Sequence, residues 1–165
     1  MSTGSIEVIC GPMFSGKTES LIQRLRDAVA SGLRVQAFKP VIDRRYHETH
    51  ITSHGGETFT AQTVDRVAEL LVAVNPETQV VGIDEAQFFG ATLTNACEDL
   101  AERGVRVIVA GLDMDYQGRP FEPIPALLAV ADSIVKLSAV CAGGRGTATR
   151  AHRTAGGHER AQVGA

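Results

Sequence analysis

Short apolar runs rich in β-branched residues alternate along the chain with segments whose apolar residues recur every three to four positions. The periodic segments predict helices around 21–29, 64–74 and 93–101. Strands that are apolar almost throughout and are separated by helices indicate an α/β fold, with a mainly parallel sheet covered on both faces. The apolar runs predict five strands, at residues 6–10, 35–38, 80–83, 105–111 and 133–140.

Two regions depart from this alternation. Residues 39–62 are polar, and the Gly-Gly pair at 55–56 separates two alternating segments, which predicts a β-hairpin that projects from the core. In residues 142–165 the only bulky aliphatic residue is Val163, so this segment cannot build a core of its own. We therefore expect a single domain at 1–141, followed by a C-terminal tail that is mobile or is ordered by a ligand.

Composition narrows the class of protein. The chain has 165 residues, of which 44% are hydrophobic, and a formal net charge of -3 with few aromatic residues. That is enough for one core, and it argues against a surface for nucleic acid, which needs clustered basic residues. Cys10, Cys97 and Cys141 are widely spaced and odd in number, as is typical of the reducing cytosol. The N-terminus lacks the features of a secretory signal, and no run approaches the roughly 20 apolar residues of a membrane helix. We expect a cytoplasmic protein with no nucleic-acid or membrane partner.

Residues 11–18, GPMFSGKT, fill every fixed position of the phosphate-binding pattern G-x-x-x-x-G-K-[ST]. They follow a predicted strand and open a predicted helix, as the chemistry of that loop requires. Backbone N–H groups wrap the phosphates, Lys17 reaches the β- and γ-phosphates, and the hydroxyl of Thr18 binds Mg²⁺. The pattern therefore predicts a site for a nucleoside triphosphate and Mg²⁺.

Two acidic residues follow the apolar run at 80–83. Asp84 is the candidate to complete the Mg²⁺ shell, and Glu85 would lie just beyond the carboxyl end of the strand, where it can accept a proton from an attacking hydroxyl or water. Taken alone, an Asp-Glu pair after an apolar strand is as often the solvated start of a helix as it is part of a functional site. Asp113 also follows an apolar strand, so the sequence leaves open which aspartate serves the metal.

The chain contains six segments that matter as a set: GPMFSGKT, KPVIDRRYH, SHGGE, IDEAQFF, GLDMDYQGRPF and ADSIVKLSAVC. Their order and spacing resemble those of the cytosolic thymidine kinases that carry a zinc ribbon. The chain resembles this family over residues 6–141. The resemblance implies a P-loop RecA-like core, ATP with Mg²⁺, and transfer of the γ-phosphate to the 5′-hydroxyl of thymidine. Family members are commonly tetramers, so it also implies a homo-oligomer.

The resemblance also implies roles for individual residues. Glu85 would be the general base for the 5′-hydroxyl, and Asp84 would serve Mg²⁺ together with Thr18. The residues implied on the nucleotide side are Gly11, Pro12, Met13, Phe14, Ser15, Gly16, Lys17, Thr18, Asp43, Arg45, Asp84 and Gln87. Those implied around the thymidine are Met13, Phe88 and Tyr116 at the base, with Arg153, Gly156 and Gly157 in the segment that covers it.

The tail departs from the family pattern at its zinc ligands. CAGG places Gly144 where the second cysteine of the first pair belongs, so Cys141 alone remains of the four ligands. One thiolate cannot build the four-coordinate site of a structural zinc. His152 and His158 are nearby donors, but solvated residues of a tail are the simpler interpretation. We expect no zinc and a reduced C-terminal lasso without an intact zinc ribbon.

The tail also departs at the nucleoside. Ala151 and Ala161 stand where the family has a threonine and a tyrosine, so we expect weaker binding of thymidine than of ATP and relaxed discrimination among pyrimidine deoxynucleosides. One alternative is therefore a related kinase with relaxed or altered nucleoside specificity. A second is a non-catalytic nucleotide-binding protein descended from the kinase, against which the presence of Glu85 argues.

Overall fold

The computed structural model describes residues 4–42 and 49–140 and the backbone at 147–148. The helices are α1 (Lys17–Ala30), α2 (Val67–Ala73), α3 (Thr92–Glu102) and α4 (Ile124–Val130), and a short 3-10 turn spans Ala86–Phe88. The strands are β1 (Ser5–Cys10), β2 (Val35–Pro40), β3 (His50–Thr52), β4 (Thr58–Thr60), β5 (Gln62–Val64), β6 (Val80–Ile83), β7 (Arg106–Gly111), β8 (Ser133–Lys136), β9 (Ala139–Val140) and β10 (Thr147–Ala148).

A six-stranded sheet in the order β5-β2-β6-β7-β1-β8 forms the centre of the molecule, and every pairing in it is parallel. Because the strands are parallel, their carboxyl ends meet at one edge, where ligands bind in folds of this kind. One face of the sheet packs against α2, α3 and α4, and the other against α1, with buried apolar clusters on both sides. The predicted α/β fold with a mainly parallel sheet is confirmed.

The predicted hairpin is also present. β3 and β4 pair antiparallel, and the turn between them is closed by the backbone hydrogen bond from Ser53 N to Glu57 O at 2.8 Å. Ile51 of β3 is buried in the apolar cluster that includes Ile22 of α1. Arg26 of α1 donates a hydrogen bond to Thr58 O at 3.0 Å, so the hairpin lies against the helix that follows the phosphate loop.

Three elements differ from the sequence-based expectation. Val64, predicted to begin the second helix, lies instead in β5, where it pairs with Pro40 of β2. The predicted strand at 133–140 is divided, since β8 ends at Lys136 and β9 pairs antiparallel with β10. Helix α4 was not predicted, because Pro125 near its start masks the pattern. Proline is accepted in the first turn of a helix, where the backbone N–H groups lack intrahelical partners.

Among the described residues, no helix has the length and apolar character needed to cross a membrane.

Glu7 ties together β1, α1 and β7 at the opposite edge of the sheet from the carboxyl ends. Arg24 of α1 donates to its Oε1 at 2.8 Å, and Arg106 of β7 donates to both of its carboxylate oxygens. Burial of the carboxylate raises the pKa of Glu7, but the hydrogen bonds and charge of Arg106, and then those of Arg24, outweigh burial and leave the pKa below its ordinary value. The ionised carboxylate therefore stabilises the fold.

We expect the substitution Glu7→Gln to lower the free energy of unfolding at pH 7 by about 1–3 kcal/mol, because it weakens charge-assisted hydrogen bonds in a partly buried place. Since the pKa of Glu7 is lowered on folding, its contribution is complete above the ordinary value of 4.5 and is lost as the pH falls through the folded-state value. Denaturant unfolding at about pH 7 and below about pH 4 measures this, and the difference between parent and variant should shrink in acid.

Glu69→Gln is the control for this effect, because the Glu69 side chain is 46% exposed and its ion pair with Arg66 is long, at 3.8 Å between Oε1 and Nε. It should change the unfolding free energy by less than about 0.5 kcal/mol. An undiminished difference between Glu7→Gln and the parent in acid would contradict the electrostatic explanation.

Candidate active site

The phosphate loop connects the carboxyl end of β1 to the first turn of α1. Its backbone has positive φ angles at Gly11 (146°), Phe14 (61°) and Gly16 (88°). A Cβ atom at Gly11 would lie 2.6 Å from Leu137 O, so this position must be glycine for the loop to pass the end of β8. The loop leads directly into the N-terminus of the 14-residue helix α1, and backbone N–H groups at such a helix end favour bound phosphate.

Lys17 is held by the loop itself. Its Nζ donates a hydrogen bond to Pro12 O at 2.6 Å and lies 3.5 Å from Ser15 Oγ, which also donates to Pro12 O, at 2.7 Å. Burial lowers the pKa of Lys17, while the charges of Glu85, Asp84 and Asp113 act in the opposite direction. A cation that is partly removed from water in this way gains strongly from an anionic ligand.

Asp84 lies at the carboxyl end of β6 and is only 6% exposed. Thr18 Oγ1 is 3.2 Å from each of its carboxylate oxygens. Burial, followed by the negative charge of Glu85, raises the pKa of Asp84 to about 7. The hydroxyl and the carboxylate are hard oxygen ligands, and a cation between them would offset the cost of burying the charge, so the pair fits Mg²⁺.

Asp113, the alternative metal-side acid, has a different partner. Its Oδ2 is 3.0 Å from Lys136 Nζ on β8, and within the described residues its buried Oδ1 has no hydrogen-bond partner. The loop hydroxyl of Thr18 is bonded to Asp84 instead. This geometry favours Asp84 for the metal.

A cavity of about 370 Å³ opens beside the loop. The cavity brings Glu85 together with the phosphate-loop lysine and threonine, as the sequence analysis expects. The predicted site residues that line it are Met13, Phe14, Ser15, Gly16, Lys17, Thr18 and Glu85.

Four further lining residues were not predicted: Glu19, Ser53, His54 and Ser138. Ser53 and His54 belong to the hairpin turn, and the ring of His54 lies 4.8 Å, centroid to centroid, from that of Phe14. The segment SHGGE carried the only signal for them, because it predicted a hairpin turn and belonged to the family resemblance. Neither feature indicated contact with the phosphate loop.

Two predicted base-contacting residues lie elsewhere. Phe88, in the 3-10 turn, and Tyr116, in the loop after β7, are each 53% exposed and do not line this cavity. The cavity therefore contains Met13 but neither of these two rings. The contact of Phe88 and Tyr116 with a nucleoside stays a prediction. Asp43, Arg45 and the tail residues named above, among them Cys141, Arg153, Gly156 and Gly157, lie outside the described residues, so their roles also stay predictions.

A parallel sheet whose first strand runs into this loop, with a buried aspartate bonded to the loop threonine, defines a P-loop nucleotide-binding protein. The sequence model of one such family, thymidine kinase, matches residues 4–165. The chain belongs to the thymidine kinase family.

Individual relatives agree with this assignment. A thymidine kinase of Bdellovibrio bacteriovorus is 52% identical over 161 residues, which cover 98% of this chain and 79% of the relative. One from a Rhodothermus species is 54% identical over 141 residues, covering 86% and 66%, and one from Bacteroides fragilis is 50% identical over 151 residues, covering 92% and 75%. The resemblance found in the sequence segments is thereby confirmed.

Proposed function

We propose that this chain transfers the γ-phosphate of ATP to the 5′-hydroxyl of thymidine. Family membership and the names of the relatives support this reaction. The observation that carries the proposal is the cavity in which the Glu85 carboxylate shares a wall with Lys17 and Thr18. A candidate proton acceptor and the phosphate-binding groups thus face one space.

The phosphate loop performs the nucleotide side of the reaction. On binding ATP, Lys17 exchanges the carbonyl of Pro12 for phosphate oxygens, and the backbone N–H groups at the start of α1 hold the remaining charge. Thr18 and Asp84 would hold Mg²⁺, which supplies charge neutralisation at the phosphates. The loop and its lysine therefore position the γ-phosphate and stabilise the charge that spreads over its oxygens during transfer.

Glu85 performs the acceptor side. As the 5′-oxygen of thymidine forms a bond to the γ-phosphorus, the bond from that phosphorus to the bridging oxygen breaks, ADP leaves, and the hydroxyl proton passes to the Glu85 carboxylate. Met13 lines the cavity and would contact the thymine base, together with Phe88 and Tyr116 from outside it. Arg45 and Asp43 are proposed near the phosphates, and Arg153 with the Gly156–Gly157 pair over the nucleoside.

A nucleoside panel tests the function. ADP release from Mg-ATP is measured with thymidine, deoxyuridine, deoxycytidine and no nucleoside, and thymidine monophosphate is quantified in parallel. We expect thymidine-dependent ADP release matched one to one by the monophosphate. Equal or faster turnover of another nucleoside would indicate a kinase of altered specificity. ATP binding without any nucleoside-dependent ADP release would indicate a non-catalytic nucleotide-binding protein and would overturn the proposal.

The proposal extends to the assembly and the compartment. By the family resemblance we propose a homo-oligomer, with a tetramer as its form, acting in the cytoplasm on a small nucleoside rather than on nucleic acid. Size-exclusion chromatography with light scattering measures the subunit number directly. A monomer at micromolar concentration would contradict the assembly and would leave the reaction itself to the nucleoside panel.

Purified protein is expected to contain no stoichiometric zinc, and a chelator is expected to leave its unfolding temperature unchanged, because a structural zinc contributes directly to folding and needs four ligands. Within residues 4–42 and 49–140 no three His, Cys, Asp or Glu side chains converge on a metal position. Cys141, His152 and His158 lie outside those residues, so metal analysis decides the matter. One zinc per chain would show that these residues, or a second subunit, complete a site.

A further inference from the structure

Gln87 lies directly behind Glu85 in the 3-10 turn that follows β6, and it is only 4% exposed. Its Nε2 donates a hydrogen bond to Glu85 Oε2 at 2.8 Å, and its Oε1 accepts one from Leu112 N, just after β7, at 3.1 Å. Both ends of the amide are therefore used within the protein. One end holds the carboxylate, and the other fastens it to the neighbouring strand.

The backbone of β7 packs closely on this amide. A Cβ atom at Gly111 would lie 3.0 Å from Gln87 Oε1, 2.9 Å from Ile124 Cδ1 and 3.3 Å from the Cβ of Ala86. Glycine at this position leaves just enough room for the amide, so the side chain of Gln87 has little freedom to turn away. The position of its Nε2 is therefore set by the sheet and not by a mobile surface.

Glu85 needs such a support because its own backbone is unusual. Its φ angle is 52°, in the left-handed region that non-glycine residues seldom adopt, and Glu85 O accepts a hydrogen bond from Phe88 N at 3.1 Å. Among the described residues, the hydrogen bond from Gln87 is the one that fixes the Glu85 side chain. A carboxylate on a strained turn gains its direction from that contact.

We propose that Gln87 is a positioning residue for phosphoryl transfer, which holds Oε2 of Glu85 so that the other carboxylate oxygen faces the acceptor hydroxyl. The inference rests on the proposed role of Glu85 as the base. It assigns Gln87 a role through Glu85, in place of the direct contact with the nucleotide that the family resemblance implies. A base held in direction can contribute far more than one that rotates freely, because a misplacement of about 1 Å can cost on the order of 10²-fold in rate.

The variant Gln87→Met tests this, because methionine keeps the length of the side chain and removes both hydrogen bonds. Gln36→Met is the matched control. The Gln36 amide donates to Ala73 O at 3.0 Å and accepts from Asn75 N at 2.8 Å, and it lies near the amino end of β2, away from the cavity. Both variants lose an internal amide with its hydrogen bonds, so a purely structural effect would appear in each.

We expect Gln87→Met to lower kcat for thymidine by about 10- to 100-fold while the KM values for ATP and thymidine change less than about threefold. Gln36→Met should keep kcat within about twofold of the parent, even if it lowers the unfolding temperature as much as Gln87→Met does. A kcat of Gln87→Met within about twofold of the parent would overturn the inference. So would a raised KM for ATP with kcat unchanged, which would indicate direct contact with the nucleotide.

A double-mutant cycle separates this inference from the proposed function. In the background of Glu85→Gln, adding Gln87→Met should change the remaining kcat by less than about twofold, because a residue that acts through Glu85 has nothing left to position. A further tenfold loss would show that Gln87 acts independently. If Glu85→Gln keeps its turnover, the base assignment fails and the inference fails with it. If Glu85→Gln is inactive and Gln87→Met is fully active, only the inference fails.

Gln87→Glu provides a second variant for the case in which Gln87→Met does not fold. Its carboxylate oxygens still accept the hydrogen bond from Leu112 N, but they offer no amide N–H to Glu85 and place a like charge beside it. We expect a soluble protein whose kcat is lowered at least tenfold with little change in KM. Full activity of this variant would overturn the inference even in the absence of data for Gln87→Met.

Discussion

Replacing Glu85 by glutamine is expected to lower kcat for thymidine by about 10²- to 10⁴-fold, the range of a positioned general base. The change keeps the size of the side chain and an oxygen that can accept the hydrogen bond from Gln87, but it removes the group that takes the proton. The phosphate loop is untouched, so the affinity for ATP should stay within about twofold of the parent. Steady-state kinetics and equilibrium binding of ATP measure the two quantities separately.

Two variants accompany this measurement. Glu102→Gln makes the same chemical change at an exposed residue at the end of α3 and should leave kcat unaltered. Asp113→Asn tests the other acidic residue that follows a sheet strand, which is paired with Lys136. If Glu85→Gln turns over within a few-fold of the parent, the assignment of Glu85 as the base is wrong, and an inactive Asp113→Asn would make Asp113 the next acidic residue to test.

Replacing Lys17 by alanine is expected to weaken ATP binding at least tenfold and to lower kcat by about 10²- to 10³-fold, because a charged donor aimed at the transferring phosphate is lost. The substitution should leave the unfolding temperature unchanged or raise it. Lys17 is buried enough for its pKa to be lowered, and Ser15 Oγ still donates to Pro12 O when the lysine is removed. Kinetics, ATP titration and thermal unfolding together distinguish a lost ligand contact from a lost fold.

Arg103→Ala is the charge-matched control, since it removes one positive charge from an exposed position at the end of α3. It should leave ATP affinity and kcat within about twofold of the parent at physiological ionic strength. Equal weakening of ATP binding in both variants would show that overall charge, and not the lysine in the loop, attracts the nucleotide.

Much of the central sheet could be predicted from the sequence because its inner strands are covered on both faces. Residues 80–83 are all buried, so the run is apolar throughout and stands out from its surroundings. β5 has only three residues, one of them exposed, and it exists because it pairs with the end of β2. A strand that depends on one neighbour leaves little periodicity to detect, and Val64 was therefore assigned to the wrong element.

The site divides along the same line. Its contiguous parts, GPMFSGKT and the Asp84-Glu85 pair, could be predicted because their chemistry depends on spacing along the chain. His54 could not, because it reaches Phe14 only after Ile51 packs on α1 and sets the hairpin over the loop. The hydrogen bond between Gln87 and Leu112 N joins residues 25 positions apart, and it too follows from the stacking of the strands.

Stability and catalysis make conflicting demands on position 85, where the backbone is left-handed. A non-glycine residue held in this conformation costs the fold on the order of 1–3 kcal/mol, which glycine would not. Glycine at position 85 removes this cost but leaves the buried Nε2 of Gln87 without its partner, so a library selected only for resistance to heat should accumulate glycine at 85 together with an apolar residue at 87. Those variants would be more stable to heat but catalytically inactive, so engineering of this scaffold needs a selection for turnover as well as one for thermal stability.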